Sequence, residues 1–237
     1  MPTWSAAPKY VQRPRAPRRT FPLPRFIGRP AYHLRTAATR FFGWLIRFFY
    51  TEPIFRARCG SVGEGFSMRT LPDVSGHLRF DIGSDVRFAG HMGVAAGRMF
   101  DDPRIVLGDG VRFGHDVTIA ANREVVVESG VTMGGGCRVM DTDAHPRNAA
   151  LRAANVPPPP EEVRPVRIGR NVAVGARSFV LKGVTIGEGA TVGPGSVVVS
   201  DIPAFSTAAG NPARILARRP AAANDIEENP PSSSGSR

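Results

Sequence analysis

The sequence predicts an all-β protein wound as a parallel β-helix, and two features of the 237-residue chain carry that expectation. The first is a period of six. Ile168, Val174, Val180, Ile186, Val192 and Val198 open six successive hexapeptides without a slip. An amphipathic helix repeats its apolar positions at three, four and seven, and an ordinary strand alternates, so neither marks every sixth residue. Short strands stacked into a solenoid do, because each repeat buries its aliphatic residue only when a neighbouring coil covers it. The second feature is glycine. Gly169, Gly175, Gly187 and Gly193 follow the ladder residue, with Gly189 and Gly195 two positions further on, where tight corners between strands demand small residues or positive φ.

The same register runs upstream. Leu107, Phe113 and Ile119 open one set of blocks and Val127, Met133 and Val139 another, with two extra residues between the sets; Ile82, Phe88 and Val94 form a weaker set. Three blocks per turn predict roughly five triangular coils, about 25 Å tall at one inter-strand spacing per coil. We divide the chain into a basic Pro/Arg-rich arm (1–30), an amphipathic helix with its lead-in (31–60), a β-helix domain (61–217) interrupted by an excursion (145–167), and a Ser/Pro-rich tail (218–237), arm and tail being expected disordered.

Charge is unevenly placed. Residues 1–60 hold 12 Lys and Arg against the single acid Glu52, whereas the remainder holds 19 of each sign, so the whole net charge of +11 sits in the first quarter. Within it, Ala31 to Tyr50 reads as a helix, with Leu34, Ala38, Phe41, Leu45 and Phe48 on one face and Glu52-Pro53 ending it. The aromatic segment is too short and too charged to span a membrane. It suits either packing on the β-helix or lying at an anionic membrane surface, and no nucleic-acid partner is expected. Cys59 and Cys137 alone, with no C-x-x-C pair, predict neither a disulfide framework nor a cysteine zinc site. Cys137 is expected small and buried, and with no signal peptide the expected location is the cytoplasm, peripheral on the inner face of its membrane if the helix binds there.

Asp141-Thr142-Asp143-Ala144-His145-Pro146 stands where the ladder stops, and the excursion that follows ends in four prolines, 157–160. A histidine at a strand end beside a long loop is placed to act as a base, and either Asp141 or Asp143 could fix its tautomer. Both aspartates also suit turns.

The hexapeptide blocks, the DTDAHP stretch, the GARSFVLKGVTIGEG run and the terminal AAGNPARIL together resemble the hexapeptide-repeat acyltransferases, in particular the branch similar to galactoside, maltose and exopolysaccharide O-acetyltransferases. That resemblance covers about residues 52 to 217. It implies a left-handed helix, a homotrimer with active sites between subunits, acetyl-CoA as co-substrate, and a histidine matching His145 as general base on a saccharide hydroxyl that attacks the thioester directly. It also implies that the pantetheine arm meets backbone at Gly175-Ala176 and Gly193-Pro194, that Arg177, Lys182 and Arg214 are available for CoA phosphates, and that His115 and Asp116 touch the acceptor. Ala173 and Ser200 depart from the family pattern, where an aromatic residue and a lysine are frequent. No metal is expected. Two other readings stay open: a γ-type carbonic anhydrase with zinc shared between subunits, for which His91, His115 and His145 lack the family's ligand spacing, and a non-catalytic trimeric scaffold.

Overall fold

The computed structural model describes residues 23–97 and 99–218; most of the expected arm and tail lie outside them. The chain divides into two units, Met1–Gly43 and Trp44–Arg237.

The described part of the first unit is helical. Helix α1 runs Arg25–Ile46, beginning earlier than the expected Ala31, with Pro30 inside it and none of its residues buried. A proline in a helix removes one N–H and crowds one carbonyl, and here it does not end the helix. Nor does Glu52-Pro53. A short π-helical turn, Arg47–Thr51, follows, and helix α2, Glu52–Arg58, begins with the proline in its first turn. A first-turn proline loses only an N–H that no intrahelical partner would take.

The second unit is the expected prism. Three parallel sheets form its faces. The first face stacks strands 61–62, 79–82, 104–107, 124–127, 166–168 and 185–186; the second stacks 67–68, 87–88, 112–113, 132–133, 173–174, 191–192 and 206–210; the third stacks 73–75, 92–95, 117–120, 138–140, 179–180 and 197–198. The pairing register puts each ladder residue over the next: Ile82 pairs with Leu107, Phe88 with Phe113, Val94 with Ile119, and onward to Ile186. There are six complete coils where five were expected. The extra one is the first, carried by Val62, Met68 and Val74, which share the six-residue period.

All the ladder residues from Ile82 onward are buried. Cys137 is buried too, as expected, with its thiol 3.1 Å from the Gly175 carbonyl. Both ends of the stack are closed. At the first, Phe55 of α2 packs on Phe66, Phe80 and Phe88 with ring centroids 5.3–6.1 Å apart; burying such a side chain stabilises by roughly 1.5–3 kcal/mol. At the second, residues 213–218 turn back antiparallel on 206–210, covering what would otherwise be an open edge.

The two extra residues between Ile119 and Val127 widen the corner from third to first face at residues 121–123. A larger break at the same corner, one coil later, is the excursion. It holds a short helix α3, Ala149–Ala153, whose N-cap Asn148 accepts from the amides of Ala150 and Leu151 at 2.9 and 3.3 Å. The strand Val166–Ile168 follows, and the ladder resumes at Ile168 over Val127.

Candidate active site

The DTDAHP stretch leaves the third face at Met140 and turns the corner toward the first. Asp141 is fully buried at the start of that turn. Its Oδ1 accepts from the Asn122 amide at 2.9 Å, and its Oδ2 from those of Arg123 and Glu124 at 2.6 and 3.0 Å. These are the amides that the widened corner below would otherwise leave without strand partners. Burial pushes the Asp141 carboxyl above its ordinary value, while the three N–H donors pull it down. With both oxygens occupied from inside the prism, Asp141 is a structural clamp and not the partner of His145.

Asp143 is also engaged elsewhere. Its Oδ2 lies 2.6 Å from the Lys182 ammonium, and the lysine side chain is 7% exposed where that of Asp143 is 45% exposed. This pair ties the start of the excursion to the next coil. It also removes Lys182 from the phosphate contacts expected of it, because the ammonium sits at the corner between third and first faces and is committed to a carboxylate. The asymmetry of burial predicts an asymmetry in mutation. Asp143→Ala strands a nearly buried ammonium and should destabilise by about 2 kcal/mol or more, whereas Lys182→Met leaves a carboxylate that water can reach and should cost under about 1 kcal/mol. Denaturant unfolding of both variants decides it, and equal costs would mean that the ion pair does not hold this corner.

His145 is exposed. Beside it the excursion folds back, and Pro157 and Pro158 close a cavity of about 250 Å³ together with Ala95, Ala120, Asn122 and Thr142. Ala144, the residue before His145, is part of its wall. Apolar walls with two polar side chains describe this cavity, which spacing along the chain did not reveal.

The remaining expected residues stand at a different corner, from second to third face. Gly175 lies directly under Pro194, so that a Cβ added to Gly175 would come within 2.4 Å of the Pro194 nitrogen. Arg177 follows at φ 60°, a left-handed conformation that Gly136 and Gly195 fill at the equivalent positions with φ 74° and 69°. Arg214 pairs in register with Ala209, and a Cβ on Gly193 would lie 2.7 Å from the Ala209 methyl. Gly175, Ala176, Arg177, Gly193, Pro194 and Arg214 are therefore brought together. The Gly175 and Gly193 amides donate to Val192 and Ala208, the Gly175 carbonyl accepts from Cys137, and the Gly193 carbonyl accepts from Ser178 and Ser196. The backbone groups of both glycines are thus used inside the coil.

His115 and Asp116 occupy this second corner as well, two coils earlier. Both are exposed, the His115 ring sits against Gly90, and Asp116 lies 3.9 Å from His91. The width of the third face separates them from His145 within one chain. Among the described residues no three His, Cys, Asp or Glu side chains come together as a metal site.

Residues 165–200 match the bacterial transferase hexapeptide family (six repeats). The chain is 44% identical over 75 residues to a proposed acetyltransferase of Staphylococcus aureus (strain COL), covering 32% of this chain and 36% of that protein. It is 32% identical over 112 residues to a proposed acetyltransferase of Saccharomyces cerevisiae, covering 47% of this chain and 55% of that one. The chain thus spans only about a third to a half of these relatives' length. The crystal structure of a mutant of AntD, an N-acyltransferase from Bacillus cereus in complex with dTDP and coenzyme A, superposes with a TM-score of 0.55 at 16% identity over 74% of this chain and 92% of that one. In repeat and in architecture the chain is a left-handed parallel β-helix that resembles the hexapeptide-repeat acyltransferases.

Proposed function

We propose that this protein is a CoA-dependent O-acetyltransferase, working as a homotrimer in the cytoplasm, that moves an acetyl group from acetyl-CoA to a saccharide hydroxyl with His145 as general base. The observation that carries this reading is the division of the candidate groups between two corners of one prism. His145 and the Pro157–Pro158 cavity stand at one corner, while Ala176, Arg177, Pro194 and Arg214 stand at the other. Two prisms side by side bring the first corner of one copy against the second corner of its neighbour, and His115 and Asp116 of that neighbour then face the acceptor. A tautomer-fixing partner for His145, which neither aspartate of its own turn provides, would come from the same neighbour. The names of the bacterial and yeast relatives agree with acetyl transfer.

The chemistry balances without a covalent enzyme intermediate. His145 takes the proton as the acceptor oxygen bonds to the thioester carbon, a backbone N–H of the coil holds the oxyanion, and the CoA sulfur leaves with the proton that the imidazolium returns. Neither cysteine is suited to carry the acetyl group. Burial pushes the Cys59 thiol up to about 11 and also raises Cys137, whose sulfur points into the prism. A saccharide fits the cavity because a sugar ring offers an apolar face to Ala95, Ala120 and the prolines and hydroxyls to Asn122 and Thr142.

Calorimetric titration with CoA and acetyl-CoA tests the reading. One saturable site per subunit in a three-chain assembly supports it, and absence of CoA binding sinks it. Arg177→Gly should weaken CoA about tenfold, the loss of one charge-assisted phosphate contact. The same change should stabilise the fold by about 1 kcal/mol, because a non-glycine residue is relieved of a left-handed backbone. Opposite signs in the two measurements would identify Arg177 as a residue held at a strained corner for its ligand.

A further inference from the structure

The segment Arg25–Thr51 contains eleven of the large apolar side chains that the described chain leaves exposed, among them Phe26 at 78%, Leu34 at 73% and Phe42 at 61%. At about 100° per residue, Phe26, Ile27, Leu34, Phe41, Trp44 and Leu45 fall on one face of α1, with Phe42 at its margin. Arg25 and Arg29 fall on the opposite side, and Arg35 and Arg40 at the two boundaries. Trp44 stacks on Phe48 at 5.6 Å and Phe49 meets Phe48 edge to face at 4.9 Å, so the aromatic surface continues through the π-helical turn. An exposed apolar surface of this extent marks an interaction site.

Charge distinguishes among its possible occupants. From Leu23 to Thr51 there is no acidic residue, and the first acid, Glu52, lies 3.5 Å from Arg47. A second copy packed on this face would line the edges of the contact with Arg35 and Arg40 and offer them no acid within the segment. No helix among the described residues is long and apolar enough to cross a membrane. A helix with one aromatic face, one arginine face and little net hydrophobicity instead lies in the plane of a bilayer, its rings at the level of the lipid headgroups and its arginines reaching the phosphates. We propose that Arg25–Thr51 docks this protein on an anionic phospholipid bilayer, with Phe26, Leu34, Phe41, Phe42 and Trp44 in the lipid and Arg29, Arg35 and Arg40 at the headgroups. This does not depend on the acetyltransferase reading.

The test uses the full chain with Trp4→Phe, which leaves Trp44 as the sole tryptophan. Vesicles of phosphatidylcholine, alone or with about 30% phosphatidylglycerol, are titrated at low and at high salt. The expected result is a blue shift of Trp44 emission and about tenfold or greater preference for the anionic vesicles, lost at high salt. Phe41→Glu with Phe42→Glu should abolish binding to both vesicles, and Arg35→Glu with Arg40→Glu should abolish the anionic preference. Each pair should leave the melting temperature of the prism unchanged, since α1 buries none of its residues. Vesicle binding that survives the phenylalanine pair would overturn the proposal by assigning the attraction to other basic residues. A Trp44 spectrum already blue-shifted without vesicles, and dependent on protein concentration, would overturn it in favour of a second copy.

Discussion

His145→Ala is expected to lower the rate of acetyl transfer by about a thousandfold, in the middle of the range that a positioned general base supplies, or about 4 kcal/mol of barrier. Affinity for acetyl-CoA should not change, because the groups proposed to hold it lie at the other corner of the prism. Thermal stability should not change either, since the ring is exposed. The three measurements separate a catalytic role from a structural one: a loop histidine with only local contacts would alter stability or nothing. A variant that keeps its turnover within about threefold of the parent would remove His145 from the chemistry. If the variant instead loses acetyl-CoA binding along with turnover, then His145 acts on the cofactor site and the loss of turnover is not one of proton transfer alone. Mixing His145→Ala chains with Arg177→Gly chains adds a further discrimination. A site composed from two copies regains some activity in mixed trimers, because some interfaces then pair an intact first corner with an intact second one.

The six-residue ladder was legible because its physics is local and repetitive. Each aliphatic residue from Ile82 to Val198 sits on an equivalent one, so the register that buries one buries all. The first coil is not marked in the same way, although Val62, Met68 and Val74 keep the period. Its cover is not another hexapeptide but Phe55, reached through a helix whose periodicity is unrelated to the ladder. The helix boundaries differ from those expected for a similar reason. Pro30 and Pro53 are breakers by propensity, yet one is accommodated inside α1 and the other becomes the first turn of α2 after the π-helical turn, choices set by backbone winding that composition does not record.

For the candidate site, position along the chain proved more informative than residue type. The corner residues Gly175, Ala176, Arg177, Gly193 and Pro194, which the family resemblance singles out, come together because they occupy the same place in successive hexapeptides. Lys182 and the two aspartates did not follow. Their chemistry suggested catalysis and phosphate binding, but which partner a carboxylate takes depends on what the neighbouring coil leaves unsatisfied. Asp143 meets Lys182 across the break in the ladder, and no periodic argument predicts that contact. The cavity beside His145 was equally hidden, since Pro157 and Pro158 reach it only when the excursion folds back.

Asp141→Ala is expected to be the most destabilising single change at this site, at about 3 kcal/mol or more. It removes the acceptors of three amides in a corner that strand pairing cannot serve, and each stranded donor costs about 1–3 kcal/mol less whatever relaxation recovers. Asp141→Asn should recover only part of the loss, because its single oxygen can replace Oδ1 toward Asn122 while its NH₂ faces the Arg123 and Glu124 amides. The pH dependence has a definite sign. The folded carboxyl lies above its ordinary value of 3.8, so the folded protein holds this proton to higher pH than the unfolded chain does. The contribution of Asp141 to stability is therefore greatest below the unfolded value and declines as pH rises through the interval up to the folded one, after which it is constant. Denaturant unfolding of parent and Asp141→Ala from pH 3.5 upward should show their difference narrowing and then levelling. A difference that widens with pH would mean that the three N–H donors outweigh burial and that the carboxylate is the preferred form throughout. Because the clamp sits four residues before His145 and ties two successive coils together, any activity lost in Asp141→Ala should return when the fold is stabilised by lower temperature, as activity lost in His145→Ala should not.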